Sequence, residues 1–261
     1  MQLNFKQLGQ GPPLVMLHGL FGSSDNWMGV APKFASQFQI FLLDLRNHGL
    51  SSHSDEMNYS VMADDIAEFL DAQHLERAHV LGHSLGGKTA MHLALNFPDR
   101  VDKLVIVDMS PRAYPPDHNK IFAALLALDL KKFQSRREME DVLAPDIPDL
   151  TLRRFLLKNL KSQASSSGAQ TFEWKINFSG LFKNYPTLLE PLPPQVPFPK
   201  PSLFLYGGLS DYVSENDAPL IHKFFPQAKM EVIAQARHWV HTDAPEEFVR
   251  RISVFLSADS Q

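Results

Sequence analysis

The residues with the clearest chemical meaning are Gly82-His83-Ser84-Leu85-Gly86. They follow a short apolar run, Ala78–Leu81, and precede an amphipathic stretch, Leu85–Phe97. A serine in that context sits on a tight strand-to-helix turn that lifts its hydroxyl above a sheet. Flanking glycines permit the close backbone approach such a turn needs. The helix N-terminus beneath the serine favours negative charge nearby.

A serine hydroxyl is a weak nucleophile and needs a base. Of the 11 histidines, His238 is best placed, after the expected strand Met230–Ile233 and before the expected helix Pro245–Leu256. His241 is the nearest rival and otherwise reads as a surface or lid contact. His83 reads as a packing or hydrogen-bonding residue beside the site, and His18, His48 and His92 as structural or pocket-lining. A carboxylate must then orient the imidazole. Asp211 follows the expected strand Ser202–Tyr206, and Asp108 ends the expected strand Leu104–Val107. Chain order Ser, Asp, His favours Asp211 and leaves Asp108 as the alternative, with Ser210 able to help orient the pair. In His18-Gly19-Leu20-Phe21-Gly22, after the expected strand Pro13–Leu17, the amide of Leu20 or Phe21 joins that of Leu85 as a candidate oxyanion hole. In Asp44–Ser51, Asp44 and Arg46 read as braces between loops rather than as reacting groups.

These residues must be held at the ends of strands. Pro13–Leu17, Ile40–Leu43, Ala78–Leu81 and Leu104–Val107 are short apolar runs, as expected for strands buried on both faces. Amphipathic stretches Trp27–Phe38, Val61–Gln73 and Leu85–Phe97 alternate with them, and Asp217–Phe225 continues the rhythm after Ser202–Tyr206. This predicts an α/β fold with a mostly parallel central sheet and helices on both faces. Residues 111–200 interrupt the rhythm. Expected helices at Ile121–Leu130 and Leu150–Leu160, an extended piece at Phe172–Phe178 and a turn at Ser165–Gly168 describe an inserted, mainly helical lid. Seven prolines in Pro186–Pro201 predict an extended connector back to the core. The expected organisation is therefore a core of residues 1–110 and 201–261 with a lid of residues 111–200 between its parts.

Composition bounds the function. The chain has 261 residues, 25 Lys+Arg against 29 Asp+Glu, and no cysteine. That excludes a thiolate nucleophile and Cys-ligated metal, and argues against nucleic acid as a partner. With no His-Glu-x-x-His spacing either, no metal is expected. The longest apolar run, Ile121–Leu128, is 8 residues, far short of the ~18–20 of a membrane span. No basic, then apolar, leader opens the sequence, so the expected location is cytoplasmic.

Taken together, these motifs resemble the α/β-hydrolase superfamily. The segments His18–Asn26, Asp44–Ser51, Gly82–Lys88, Val107–Pro111, Tyr212–Glu215 and His238–His241 are similar to those of YbfF-type bacterial esterases. The resemblance implies hydrolysis of short-chain carboxylic esters, with acyl-CoA thioesters as a further class. It implies Ser84 as nucleophile, His238 as base, and Leu20 with Leu85 as oxyanion donors. It also implies an acid at Asp108 helped by Ser210, against the order argument. Arg237, where that branch has glycine, places a long cation near the site mouth.

The expected activity is a cofactor-independent serine esterase for a small-molecule ester, acting as a monomer or small homo-oligomer. His83, Phe122, Trp174 and Trp239 are candidate pocket residues, with Leu125, Phe155 and Phe178 as further apolar candidates. Alternatives on the same triad are a perhydrolase or haloperoxidase-like activity, and C–C bond hydrolysis using Arg112, Arg153 or Arg154 for a carboxylate. A ligand-sensing protein on a hydrolase scaffold is the alternative from another class.

Overall fold

The computed structural model describes residues 1–164 and 170–258; the turn expected at Ser165–Gly168 lies outside them. Seven strands form one sheet: β1 (Phe5–Leu8), β2 (Pro13–Leu17), β3 (Gln39–Leu43), β4 (Ala78–His83), β5 (Val101–Val107), β8 (Ser202–Gly207) and β9 (Ala228–Ile233). Their order is β1-β3-β2-β4-β5-β8-β9. All neighbours are parallel except the edge pair β1–β3.

Period-two alternation explains the apolar runs. Val15, Leu17, Phe41, Leu43, Val80, Leu104, Ile106 and Phe204 face one core. Their neighbours Leu14, Met16, Ile40, Leu42, Leu81, Val105, Val107, Leu203 and Leu205 face the other. The first core is covered by α1 (Tyr59–Ala72), α2 (Leu85–Asn96), α7 (Ala218–Phe224) and the inserted residues. The second is covered by residues 24–38, by α8 (Val240–Asp243) and by α9 (Pro245–Ser257). The helix expected at Trp27–Phe38 is instead two 3-10 turns, Ser24–Trp27 and Ala31–Lys33. Pro32 at the second turn has no N–H to donate, which accounts for the break in this stretch.

Between β5 and its partner β8 the chain forms α3 (Asn119–Leu126), α4 (Arg136–Leu143), α5 (Leu150–Leu157), the hairpin β6 (Leu160–Ala164) with β7 (Gln170–Trp174), and α6 (Phe178–Leu188). The expected extended piece is thus one strand of a hairpin, and Phe178 opens a helix. Pro186 lies inside α6, not in the connector; near the helix end its missing N–H costs only a late-turn hydrogen bond.

Lys88, fully buried on α2, ties this insertion to the core at both ends. Its Nζ donates to the Arg112 carbonyl at 2.9 Å and to the Glu190 carbonyl at 2.6 Å. It also lies over the rings of Tyr59 and Tyr114. Burial, then the nearby Arg112 charge, lowers its pKa to about 7, against a weaker opposing pull from Glu190. Replacing Lys88 by Met strands both carbonyls, at about 1–3 kcal/mol each. Urea unfolding should show that loss, and limited proteolysis should cut the 111–200 segment faster than in the parent. An unchanged midpoint and cleavage rate would contradict the tether.

Candidate active site

Ser84, Asp108, Ser210 and His238 come from different parts of the chain, yet all lie just past carboxyl ends of the parallel strands. Register explains this: His83 of β4 pairs with Val107 of β5, and Val107 with Leu205 of β8. Crevices outside those ends are where open α/β sheets place ligands. Ser84 has φ 51° and ψ −117°, a strained conformation for a residue with a Cβ. It is enforced by contacts that only glycine allows. A Cβ on Gly82 would meet the Gly86 carbonyl oxygen at 2.1 Å, and one on Gly86 would meet the carbonyl oxygens of His18 and Leu17 at 2.5 Å.

The structure pairs His238 with Asp108, not with Asp211. Nδ1 of His238 lies 2.7 Å from Asp108 Oδ2. The same oxygen accepts from the Ser210 hydroxyl, and Oδ1 accepts from the Gly207 N–H at 3.1 Å. A carboxylate only 1% exposed is thus filled with donors, the condition for keeping charge in the interior. The expectation favouring Asp211 is corrected at the level of contacts. Asp211 is exposed at the rim of a cavity, and its backbone carbonyl accepts from Arg112. Chain order carried that expectation; the short step from β5 to Asp108, turned by a φ of 49°, overrides it.

Two cavities meet at Ser84. One, about 230 Å³, is lined by Leu20, Tyr59, Leu85, Met109, Leu188 and Leu189 among others. The other, about 100 Å³, is lined by Phe21, His83, Phe155, His238, Trp239 and His241 among others. The amides of Leu20, Phe21 and Leu85 donate to no described residue. They lie in the loop after β2 and in the first turn of α2, residues of which line the cavities at Ser84. Phe21 has φ 63°, and its carbonyl accepts from Asn159 of the insertion at 2.8 Å. Nothing in the sequence pattern singled out Asn159.

Of the pocket candidates, His83 and Trp239 line the smaller cavity. Trp239 packs against Phe155, ring centroids 5.2 Å apart. Phe122 and Trp174 do not line either cavity. Phe122 is fully buried against Phe21, Phe182 and Tyr185. Trp174 packs on Phe178 and faces a separate surface cavity with Leu125 and Ile176. Side-chain direction within the insertion decides both cases. Arg237 points away too: it is exposed, with its amide on Asp243. Arg153 and Arg154 are spent on the Ile147 and Pro148 carbonyls and on Glu140. Arg112 lines the larger cavity but is held by Asp217 and by the Asp211 and Tyr212 carbonyls. Tyr212, which opens the Tyr212–Glu215 segment but has no role of its own in the motif reading, stacks on His238 with centroids 3.8 Å apart.

The supporting loops match their expected role. The buried Asp44 carboxylate accepts from the amides of Ser24 and Leu50 and from Asn4. Burial alone would raise its pKa; those donors and His18 hold it below its ordinary value. Arg46 makes two hydrogen bonds to Asp65, at 2.6 and 2.8 Å. His241, expected at the surface, is buried against Trp27, centroids 4.6 Å apart. Among the described residues no cluster of three or more His, Cys, Asp or Glu could hold a metal. No helix among them is long and apolar enough to cross a membrane.

Comparison with known proteins agrees with this architecture. A family model for the alpha/beta hydrolase fold matches residues 12–245. The chain is 38% identical to esterase YbfF of Escherichia coli strain K12, over 94% of its own length and 93% of that protein. It is 37% identical to an sn-1-specific diacylglycerol lipase of Xenopus tropicalis, over 95% of this chain and 79% of that one. Among solved structures, a marine microorganism esterase superposes with a TM-score of 0.92 at 41% identity, covering 97% of this chain and 99% of the other. The chain belongs to the alpha/beta hydrolase fold family. It is an enzyme of the esterase type.

Several histidines of this region are neutral by construction. Burial, then the adjacent His238 and His241, holds His83 well below its ordinary pKa. Burial lowers His48 to about 3, and His92 and His241 to about 4, with neighbouring positive groups adding to each. The unfolded chain binds protons at these positions below pH ~6.5 and the native state does not, so acid favours unfolding. Stability should fall as pH drops below 6.5, by about 1.4 kcal/mol per pH unit for each such group until its native pKa is reached. Urea midpoints at pH 7.5 and 5.5 test this; equal midpoints would mean that these rings titrate freely in the folded protein.

Proposed function

We propose that this protein is a cofactor-independent serine esterase acting through Ser84, His238 and Asp108. The observation that carries the reading is the 2.7 Å contact between His238 Nδ1 and the buried Asp108 carboxylate. That bond holds the proton on Nδ1 and leaves Nε2 free to act as base. Ser84 Oγ holds no hydrogen bond to a described residue, so its contact with Nε2 forms with substrate in place.

In the proposed reaction Oγ attacks the ester carbonyl while His238 takes its proton. The amides of Leu85 and of Leu20 or Phe21 receive the oxyanion, a contribution of about 3 kcal/mol per donor. His238 then protonates the leaving alkoxide. Water repeats the steps on the acyl-enzyme and releases the acid. Residues 111–200 act as a lid, supplying Leu188 and Leu189 to the larger cavity and Phe155 to the smaller. A cavity of about 230 Å³ suits a short- to medium-chain acyl or alcohol group. Relatives named as an esterase and as a diacylglycerol lipase support an ester substrate; acyl-CoA thioesters are a second class for the same chemistry.

Hydrolysis of p-nitrophenyl esters from acetate to decanoate tests the reading. We expect turnover that Ser84→Ala reduces by at least about a thousandfold. Asp108→Asn should lower kcat on the order of a thousandfold or more, and Asp211→Asn by less than about threefold. The reverse ranking would give the orienting role to Asp211. No turnover of any ester would contradict the reading and favour the ligand-sensing alternative.

A further inference from the structure

Three residues line both cavities: Leu20, Ser84 and His118. The first two belong to the core loops. His118 is the contribution of the insertion, standing over the point where the cavities meet. Its ring packs edge-on against Phe21 and Tyr185, centroids 5.8 Å from each.

Its protonation pattern follows from its partners. The His118 backbone N–H donates to the Tyr185 hydroxyl at 3.2 Å, filling one lone pair of that oxygen. The same hydroxyl lies 2.8 Å from His118 Nδ1. With the hydroxyl hydrogen directed at Nδ1, that nitrogen accepts and the ring proton resides on Nε2. Burial, then the His238 ring, lowers the pKa of His118 to about 4, so the ring is neutral under ordinary conditions. Nε2 has no partner among the described residues. A fixed, neutral donor is left unpaired at the junction that holds Ser84.

We propose that His118 is a catalytic residue of the insertion, donating Nε2–H to the leaving-group oxygen of the ester. This rests on the serine-esterase reading above. The carbonyl oxygen is taken by the amides around Ser84, which leaves the second ester oxygen as the acceptor at the junction. When the tetrahedral intermediate collapses, the carbon–oxygen bond breaks and that oxygen takes the proton of His238 Nε2. His118 keeps its own proton and hydrogen-bonds a second lone pair of the departing oxygen. Such a donor favours alkyl oxygen esters, whose alkoxides leave poorly. It does little for thioesters, because sulfur accepts hydrogen bonds weakly.

Two matched substrates separate this role from mere packing: propyl butyrate, followed by acid release, and S-propyl thiobutyrate, followed by thiol release. His118→Phe should lower kcat/KM for the oxygen ester about tenfold or more, and for the thioester less than about threefold. His118→Gln, whose Nε2 keeps a donor in place, should recover most of the oxygen-ester rate. Tyr185→Phe frees the tautomer and should lower the same substrate selectively. Circular dichroism and thermal melting establish that each variant is folded. Equal losses on both substrates, or no loss on the oxygen ester, would overturn the assignment while leaving the esterase reading intact. Failure of the parent protein to hydrolyse either substrate would overturn both.

Discussion

The site depends on a single buried carboxylate. Asp108 is 1% exposed, and a charge so placed is tolerated only with its oxygens occupied. Its donors come from β8, from the loop after β8 and from His238. Gly207 pairs with Ile233 of β9 and therefore ties the edge of the sheet to the carboxylate. Loss of any one donor leaves a lone pair of the buried carboxylate unfilled. The strand order β4-β5-β8-β9 thus has a chemical consequence: it brings the turn of Ser84, the Asp108 carboxylate and the loop of His238 together at the carboxyl ends of the strands.

The architecture was legible because its signals are local. Apolar runs of parallel-strand character, amphipathic stretches between them, and glycines around Ser84 each report a nearby constraint. The carboxylate was not legible from order alone. Asp211 and Asp108 both follow expected strands, and their separation from His238 is set by register and by the left-handed turn at Asp108, neither of which spacing reveals. Motif resemblance favoured Asp108, and the contacts agree with it. Phe122 and Trp174 show the same limit for packing. Both are aromatic and lie in the insertion, but a hairpin turns Trp174 to another surface, and Phe122 is consumed in the core between Phe21 and Tyr185.

The insertion is coupled to the site by polar contacts as well as by packing. Lys88 of α2 holds its two ends, Asn159 holds the carbonyl of Phe21, and Tyr185 holds His118. The elements that shape the loop of Leu20 and Phe21 and the cavity junction are therefore braced from both sides of the cleft. Such bracing fixes donors before substrate arrives, which is how electrostatic stabilisation avoids reorganisation during the reaction.

The most direct test of the central claim is the rate at which a fluorophosphonate probe phosphonylates Ser84, read by intact mass and by the modified peptide. The account predicts one label per chain, carried by the peptide containing Ser84. It also predicts labelling slowed severely by Asp108→Asn and barely changed by Asp211→Asn, because only Asp108 holds the imidazole that activates the serine. Label on another residue, or labelling as fast in Asp108→Asn as in the parent, would contradict it.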